Sequence, residues 1–332
     1  MTIFKKVIER IRKWPGLFQF HYGRVRYRIK HGKIRLFDPW CWLQSIHWMQ
    51  LGKYHHYEPR EAIYDRLPEI SFAGELPSIA IVTPSYNQAA YLEETIRSVL
   101  DQNYPRLSYA VVDGGSNDGS AVILERYRER LAFAVSERDR GQSDAIVKGM
   151  QHVSGEIQAY LNSDDFLTPG TLRYVGAYFA THPEVDAVYG HRIIVDEKSR
   201  EVGRWILPNH YDDSTKHFDY IPQETLFWRK SFYDQCGGID PDFHFAMDWD
   251  FILRLQACGA CFERLPYFLG CFRAHGVQKS QAGSDIGKKE IDALLLRNGA
   301  ESPVGRAFVE ADWKFKKKAY MIALLSAIGI RR

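Results

Sequence analysis

The run SIAIVTPSYNQAAYLEETIRSVLDQ, Ser78 to Gln102, changes its hydrophobic rhythm half-way. Ser78–Pro84 is a short, continuous apolar run that reads as a buried strand. From Ala89 onward the apolar residues recur as Leu92, Ile96, Val99 and Leu100, one stripe of a helix. The couplet then repeats. LSYAVVD (Leu107–Asp113) precedes GSAVILERYRER (Gly119–Arg130), and LAFAVSE (Leu131–Glu137) precedes SDAIVKGMQHV (Ser143–Val153). EIQAYLN (Glu156–Asn162) precedes TPGTLRYVGAYFATH (Thr168–His182), where Pro169 suits a first turn. Strand–helix alternation at this spacing specifies parallel βαβ units in an open, doubly wound α/β sheet. Such sheets bind ligands outside the carboxyl ends of their strands.

Those ends read TPSYN, VVDGGSNDGS, SERDRGQSDA and YLNSDD. Polar, acidic and glycine-rich residues gather there four times in succession, which marks a site. Gly114 and Gly115 allow close backbone approach after Asp113. Asp118 and Ser120 suit the cap of the following helix, whose amides can face an anion. Asp164 and Asp165 are neighbouring carboxylates at a strand end, a costly arrangement without a cation or hydrogen-bond donors. Mg²⁺ or Mn²⁺, taking oxygen ligands and bridging to phosphates, answers that cost. The spacing fits neither a G-x-G-x-x-G fingerprint nor a P-loop. Past residue 190 the chain reads as less regular. FHFAMDWDFILRLQACG places Asp248 and Asp250 at a helix start, with Phe251, Ile252 and Leu255 facing inward, and FRAHGVQKS brings together Arg273, His275 and Lys279.

The net charge of +3 is too small for a nucleic-acid binder, but its distribution is uneven. Residues 1–40 and 313–332 are strongly basic, so the middle is net acidic, as a cation-dependent site tolerates. Five scattered cysteines point to reduced thiols and a cytoplasmic setting. No signal peptide is read at the start, and no run reaches the roughly 20 apolar residues that span a bilayer.

Five ordered motifs, VTPSYNQAAYLEETIRSVLDQNYP, VVDGGSNDGS, NSDD, QETLFWRKSFYDQCGGID and MDWDFILRL, together resemble the family 2 inverting glycosyltransferases over about residues 78–280. The resemblance implies a GT-A fold: a mostly parallel, Rossmann-like sheet flanked by helices. Its boundaries would be a basic aromatic extension (1–76), a catalytic domain (77–285, its nucleotide-sugar half ending at 190) and a helical basic extension (286–332). Pro84, Tyr86 and Asn87 would lie near the nucleotide, and Asp113 with Gly114 at its base, uracil or another pyrimidine. Asp139, Arg140, Gln142 and Asp144 would lie against nucleotide and sugar. Asn162, Ser163 and Asp164 would meet the donor. Asp164 and Asp165, with His275, would hold Mn²⁺ or Mg²⁺. Asp248 matches the general base, and Gln223, Glu224, Trp249 and Arg273 would face the acceptor. Two departures stand out: Asn162 where many relatives have Asp, and Met247 where the base usually follows Glu.

The implied activity moves a sugar from a nucleotide-sugar to a glycan or lipid-linked glycan. Competing readings are a non-catalytic sugar-nucleotide or glycan-binding module and a sugar nucleotidyltransferase; the latter needs a glycine-rich activation loop that TPSYNQAA does not supply. FKKVIERIRKWPGLF and KFKKKAYMIALLSAIGIRR interleave basic and apolar residues, which suits peripheral contact with an anionic membrane at its inner, cytoplasmic face.

Overall fold

A computed structural model describes residues 54–210, 212–276 and 285–300. Both basic terminal segments and Lys279 lie outside them. Strands β1 (Ile79–Ser85), β2 (Leu107–Asp113), β3 (Phe133–Ser136) and β4 (Ile157–Tyr160) run parallel in the order β3-β2-β1-β4. Helices α1 (Ala89–Leu100), α2 (Ser120–Tyr127) and α3 (Gln142–His152) connect them. Strand β1 shows why its sequence lacks polar alternation. Ile79 and Ile81 join the core under α1 with Leu92, Ile96 and Val99, while Ala80 and Val82 join the opposite core with Ile146 of α3. Both faces are covered, so both must be apolar. Gly149 lets α3 approach closely, since a Cβ there would sit 2.4 Å from Val82 Cγ1.

After β5 (Phe166–Leu167) and α4 (Thr171–Thr181) the sheet becomes mixed. Strand β6 (Ala187–Val195) forms an antiparallel hairpin with β7 (Glu201–Trp205). A short helix α5 (Asp212–Thr215) precedes β8 (Phe227–Arg229), which runs antiparallel between β4 and β6. Helices α6 (Lys230–Gln235) and α7 (Met247–Ala257) lead to β9 (Phe262–Arg273), which is parallel to β6 and antiparallel to β5. The α7 expectation holds to the residue: Phe251, Ile252 and Leu255 are fully buried.

Strands β6 and β9 were not anticipated, because their cores carry charge. Arg192 on β6 donates from Nε to Glu224 Oε1 at 2.8 Å and from Nη2 to Oε2 at 2.5 Å, and its guanidinium lies over Phe272 at 4.3 Å. Glu201 on β7 accepts from Arg204, Arg60 and Tyr57. These buried charges are paired, as low dielectric requires.

The chain beyond the sheet also packs on it. Tyr54 stacks with Phe272 at 5.2 Å, and Leu67 joins the α1-side core. Helix α8 (Asp285–Arg297) buries Leu294 and Leu295 against Trp249 and Leu253. Its Glu290 accepts from the amides of His244, Phe245 and Ala246 at 2.8, 2.9 and 2.9 Å, the last being the N-cap of α7.

Candidate active site

The strand register brings the polar loops to one edge. Ser85, Asp113 and Ser136 stand side by side at the ends of β1, β2 and β3, and Leu161 continues the ladder by donating to Val82 O. The first two loops are stitched together. Asn87, at φ 52°, donates from its amide to Ser116 Oγ at 2.7 Å and accepts from the Asn117 amide. Asp118 accepts from the Ala89 amide at 2.8 Å and from Ser120, joining the starts of α1 and α2. Burial works to raise the Asp118 pKa, but those hydrogen bonds outweigh it and hold it low. Pro84 is buried at the floor, and Tyr86 stands 64% exposed at the rim.

Asp113 is completely buried, and its carboxylate accepts from the Ser116 amide, Ser116 Oγ and Ser136 Oγ. Gly114 is there for space: a Cβ would lie 2.8 Å from Asp139 Oδ2. Asp139 accepts from the Gly141 amide at 2.9 Å. Burial raises its pKa, with Asp144 and Asp113 adding to the effect. Arg140 and Asp144 form an exposed i,i+4 pair at 2.7 Å, and the hydrogen bond from Arg140 lowers the Asp144 pKa. Gln142 Nε2 donates to Asn162 Oδ1 at 2.6 Å, so the third and fourth loops meet through the residue that departs from the family pattern.

The neighbouring acids solve their repulsion by facing different ways. Asp164 Oδ2 lies 2.9 Å from His275 Nε2. Asp165 turns into the core, accepts the Arg273 amide at 3.0 Å and is 1% exposed. Burial pushes its pKa well up, and the Asp164 charge adds to that, against the Arg273 amide and Arg192. Ser163 is buried too, its carbonyl held by Thr95 Oγ1 at 2.9 Å. Two donors about 2.1 Å from an octahedral cation stand roughly 3 Å apart, so the Asp164–His275 separation fits one ion. Carboxylate with imidazole suits Mn²⁺ better than Mg²⁺. Among the described residues no three His, Cys, Asp or Glu side chains converge on one point. Phosphate and water would complete the shell.

Asp248 opens α7, half-buried beside that edge. Burial raises its pKa, the Trp249 amide and Arg192 oppose the rise, and Glu224 supports it. Asp219 is exposed to solvent, and desolvation by the surrounding protein and then the Asp248 charge push its pKa up. Tyr160, at the end of β4, feels both carboxylates. Asp219 and Arg192 were invisible in the sequence: Asp219 is a lone acid in an irregular aromatic stretch, and Arg192 interrupts a strand. The four residues expected at the acceptor are all inside the protein. Gln223 donates to Tyr160 O at 2.6 Å, Glu224 pairs with Arg192, Trp249 donates to Thr215 O at 2.7 Å, and the Arg273 side chain is 1% exposed. A cavity of about 300 Å³ is lined by His55, Asp196, Lys198, Arg200, Ala274 and His275.

Known proteins resemble this chain in sequence and in fold. The Glycosyl transferase family 2 model matches residues 80–239. An uncharacterized glycosyltransferase of Mycobacterium tuberculosis (strain CDC 1551 / Oshkosh) is 30% identical over 184 residues, covering 54% of this chain and 68% of the relative. A PGL/p-HBAD biosynthesis glycosyltransferase of Mycobacterium tuberculosis (strain ATCC 25177 / H37Ra) is 28% identical over 182 residues, covering 54% and 69%. Among solved structures, the mannosyltransferase PcManGT from Pyrobaculum calidifontis, in complex with GDP-Man and Mn²⁺, superposes with a TM-score of 0.54 at 20% identity, covering 87% of this chain and 80% of that one. TarS 1–349 of S. aureus gives 0.52 at 17% identity, covering 75% and 72%. With the GT-A sheet, its polar strand edge and a 30% identical relative in hand, the chain belongs to glycosyltransferase family 2.

Proposed function

We propose that the chain transfers a sugar, with inversion, from a nucleoside diphosphate-sugar to a hydroxyl of a glycan or lipid-linked glycan. The observation that carries this reading is the convergence of Asp113, Asp139, the Asp164–His275 pair and Asp248 on one sheet edge. A carboxylate accepts about four hydrogen bonds. Asp113 has three from protein, which fix it at the floor of the loop that would meet the base. Complexes of the structural neighbours TarS with UDP-GlcNAc and PcManGT with GDP-Man and Mn²⁺ support a nucleotide-sugar donor and a divalent ion.

Asp164 and His275 are the residues that would hold the ion. When bound, it offsets diphosphate charge and stabilises the leaving group. Asp248 takes the proton of the acceptor hydroxyl as that oxygen attacks the anomeric carbon opposite the diphosphate. The C–O bond to the diphosphate breaks as the new glycosidic bond forms, so a single displacement inverts the centre. A raised pKa makes Asp248 a stronger base than an ordinary carboxylate.

Among the described residues no helix is long and apolar enough to cross a membrane. The basic terminal segments would hold the enzyme on an anionic cytoplasmic membrane face, where lipid-linked acceptors lie; failure of the full chain to bind anionic vesicles at low salt ends that part of the reading. The function is tested by screening nucleotide-sugars by thermal shift with Mn²⁺, Mg²⁺ or EDTA. A pyrimidine diphosphate-sugar with Mn²⁺ is expected to raise Tm most, because a ligand selective for the folded state stabilises it by mass action. A retained anomeric configuration in the product would refute the single displacement.

A further inference from the structure

Arg273 combines a full positive charge with almost no contact with water, its side chain being 1% exposed. The guanidinium instead reaches three separate parts of the chain. Nε donates to Asp164 O at 2.9 Å. Nη1 donates to Asp196 O at 3.2 Å and Ser199 Oγ at 3.0 Å, at the tip of the β6–β7 hairpin. Nη2 donates to Glu94 Oε2 on α1 at 2.6 Å. Ser199 Oγ itself donates to Glu94 Oε2 at 2.7 Å, and the guanidinium carbon sits 4.6 Å over the Tyr91 ring, which is 5.0 Å from His275. The Arg273 amide meanwhile holds Asp165.

We infer that Arg273 is a positioning residue: it locks the Asp164–Asp165 turn and the β6–β7 hairpin tip into one rigid unit, and so fixes Asp164 opposite His275. The inference rests on the reading of Asp164 and His275 as the cation site, and it adds a residue that touches neither ion nor donor. Binding the Asp164 carbonyl rather than its carboxylate is what the task demands, because the carboxylate stays available. A planar fork serves three directions at once, which an ammonium on a flexible stem cannot do. Glu94 supplies the countercharge that lets the guanidinium be buried. The hairpin tip also walls the cavity beside His275, so the same lock sets that wall.

The test compares wild type with Arg273→Lys, which keeps the charge and loses the fork, and with Glu94→Ala, which removes one anchor at a 43% exposed side chain. Hydrogen–deuterium exchange is read on peptides covering 162–166 and 195–200, and Mn²⁺ binding is read by EPR in the presence of UDP. Both peptides should exchange faster together in R273K, while peptides of β1 and β2 stay as in wild type. Mn²⁺·UDP affinity should fall about 10–100-fold, the usual cost of removing an outer partner of a metal site. E94A should move the same readouts in the same direction by less. Unchanged exchange at both peptides in R273K, or faster exchange at only one of them, overturns the inference. Should R273K fail to fold, E94A decides by the same criteria. If wild type binds no Mn²⁺ with UDP, the cation-site reading falls, and the exchange data still judge the lock.

Discussion

The two halves of the sheet handle charge in opposite ways. In β1 to β4 the strands are apolar on both faces, and the acids sit in the loops at their carboxyl ends. In β6 to β9 charge enters the strands themselves, and three of the arginines pair with carboxylates: Arg192 with Glu224, Arg204 with Glu201, Arg273 with Glu94. The first half carries its acids at the strand ends, and the second carries paired charges within its strands. The acceptor-side residues named from sequence fall in the second half, and each is buried and hydrogen-bonded to protein. Asp248, in the first turn of α7, is only half-buried.

Mutations of the paired charges in the second half should therefore cost stability, and those in the loops should cost much less. The largest loss is expected for Glu224→Ala, which strands Arg192 between Trp205 and Phe272: about 3–5 kcal/mol in urea unfolding. The double variant Arg192→Met, Glu224→Leu should recover most of it, since removing both charges avoids the buried one. A double variant as unstable as E224A would show that packing, not charge, dominates there.

Glu201→Gln should cost about 3 kcal/mol at neutral pH and change the acid limb. Burial alone would raise the Glu201 pKa; the hydrogen bond and charge of Arg204, then Arg60 and Tyr57, override it and hold the group at about 2. A depressed folded pKa gives stability that is complete above the unfolded value near ~4.3 and is lost as pH falls toward the folded one. The variant should lack that loss between roughly pH 4.5 and 2 in acid titrations followed by circular dichroism. An unchanged acid limb would remove Glu201 from the account.

In the loops, Asp118→Ala should cost about 1 kcal/mol, the usual value of a helix-start acceptor. Arg140→Ala breaks only an exposed i,i+4 pair and should shift stability by less than about 0.5 kcal/mol. A loss above 2 kcal/mol in R140A would erase the contrast between the halves.

This division also explains what could be read in the sequence. The strands and helices up to α4 were legible because burial on both faces forces continuous apolar runs, and because helix stripes repeat at 3.6 residues. Four polar strand ends in succession marked the candidate site. Strands β6 and β9 were illegible because His191, Arg192, Arg264 and Arg273 break any hydrophobic pattern while their partners lie far along the chain. The opposite orientations of Asp164 and Asp165 were equally hidden: adjacency in sequence says nothing about which carboxylate meets a main-chain amide from β9. Asn162 looked like a missing charge, and in the fold it is the acceptor that ties its loop to Gln142.

The central claim is that the edge binds a nucleotide-sugar while Asp248 takes the acceptor proton. Burial raises the Asp248 pKa and the base must be ionised, so kcat/KM should fall as pH drops through a value above the ordinary carboxylate pKa near ~4. The most direct measurement is on Asp248→Asn, with transfer and donor binding assayed side by side. Transfer should fall by about 10³-fold while the donor-induced Tm shift stays as in wild type. Full transfer by D248N would contradict the account.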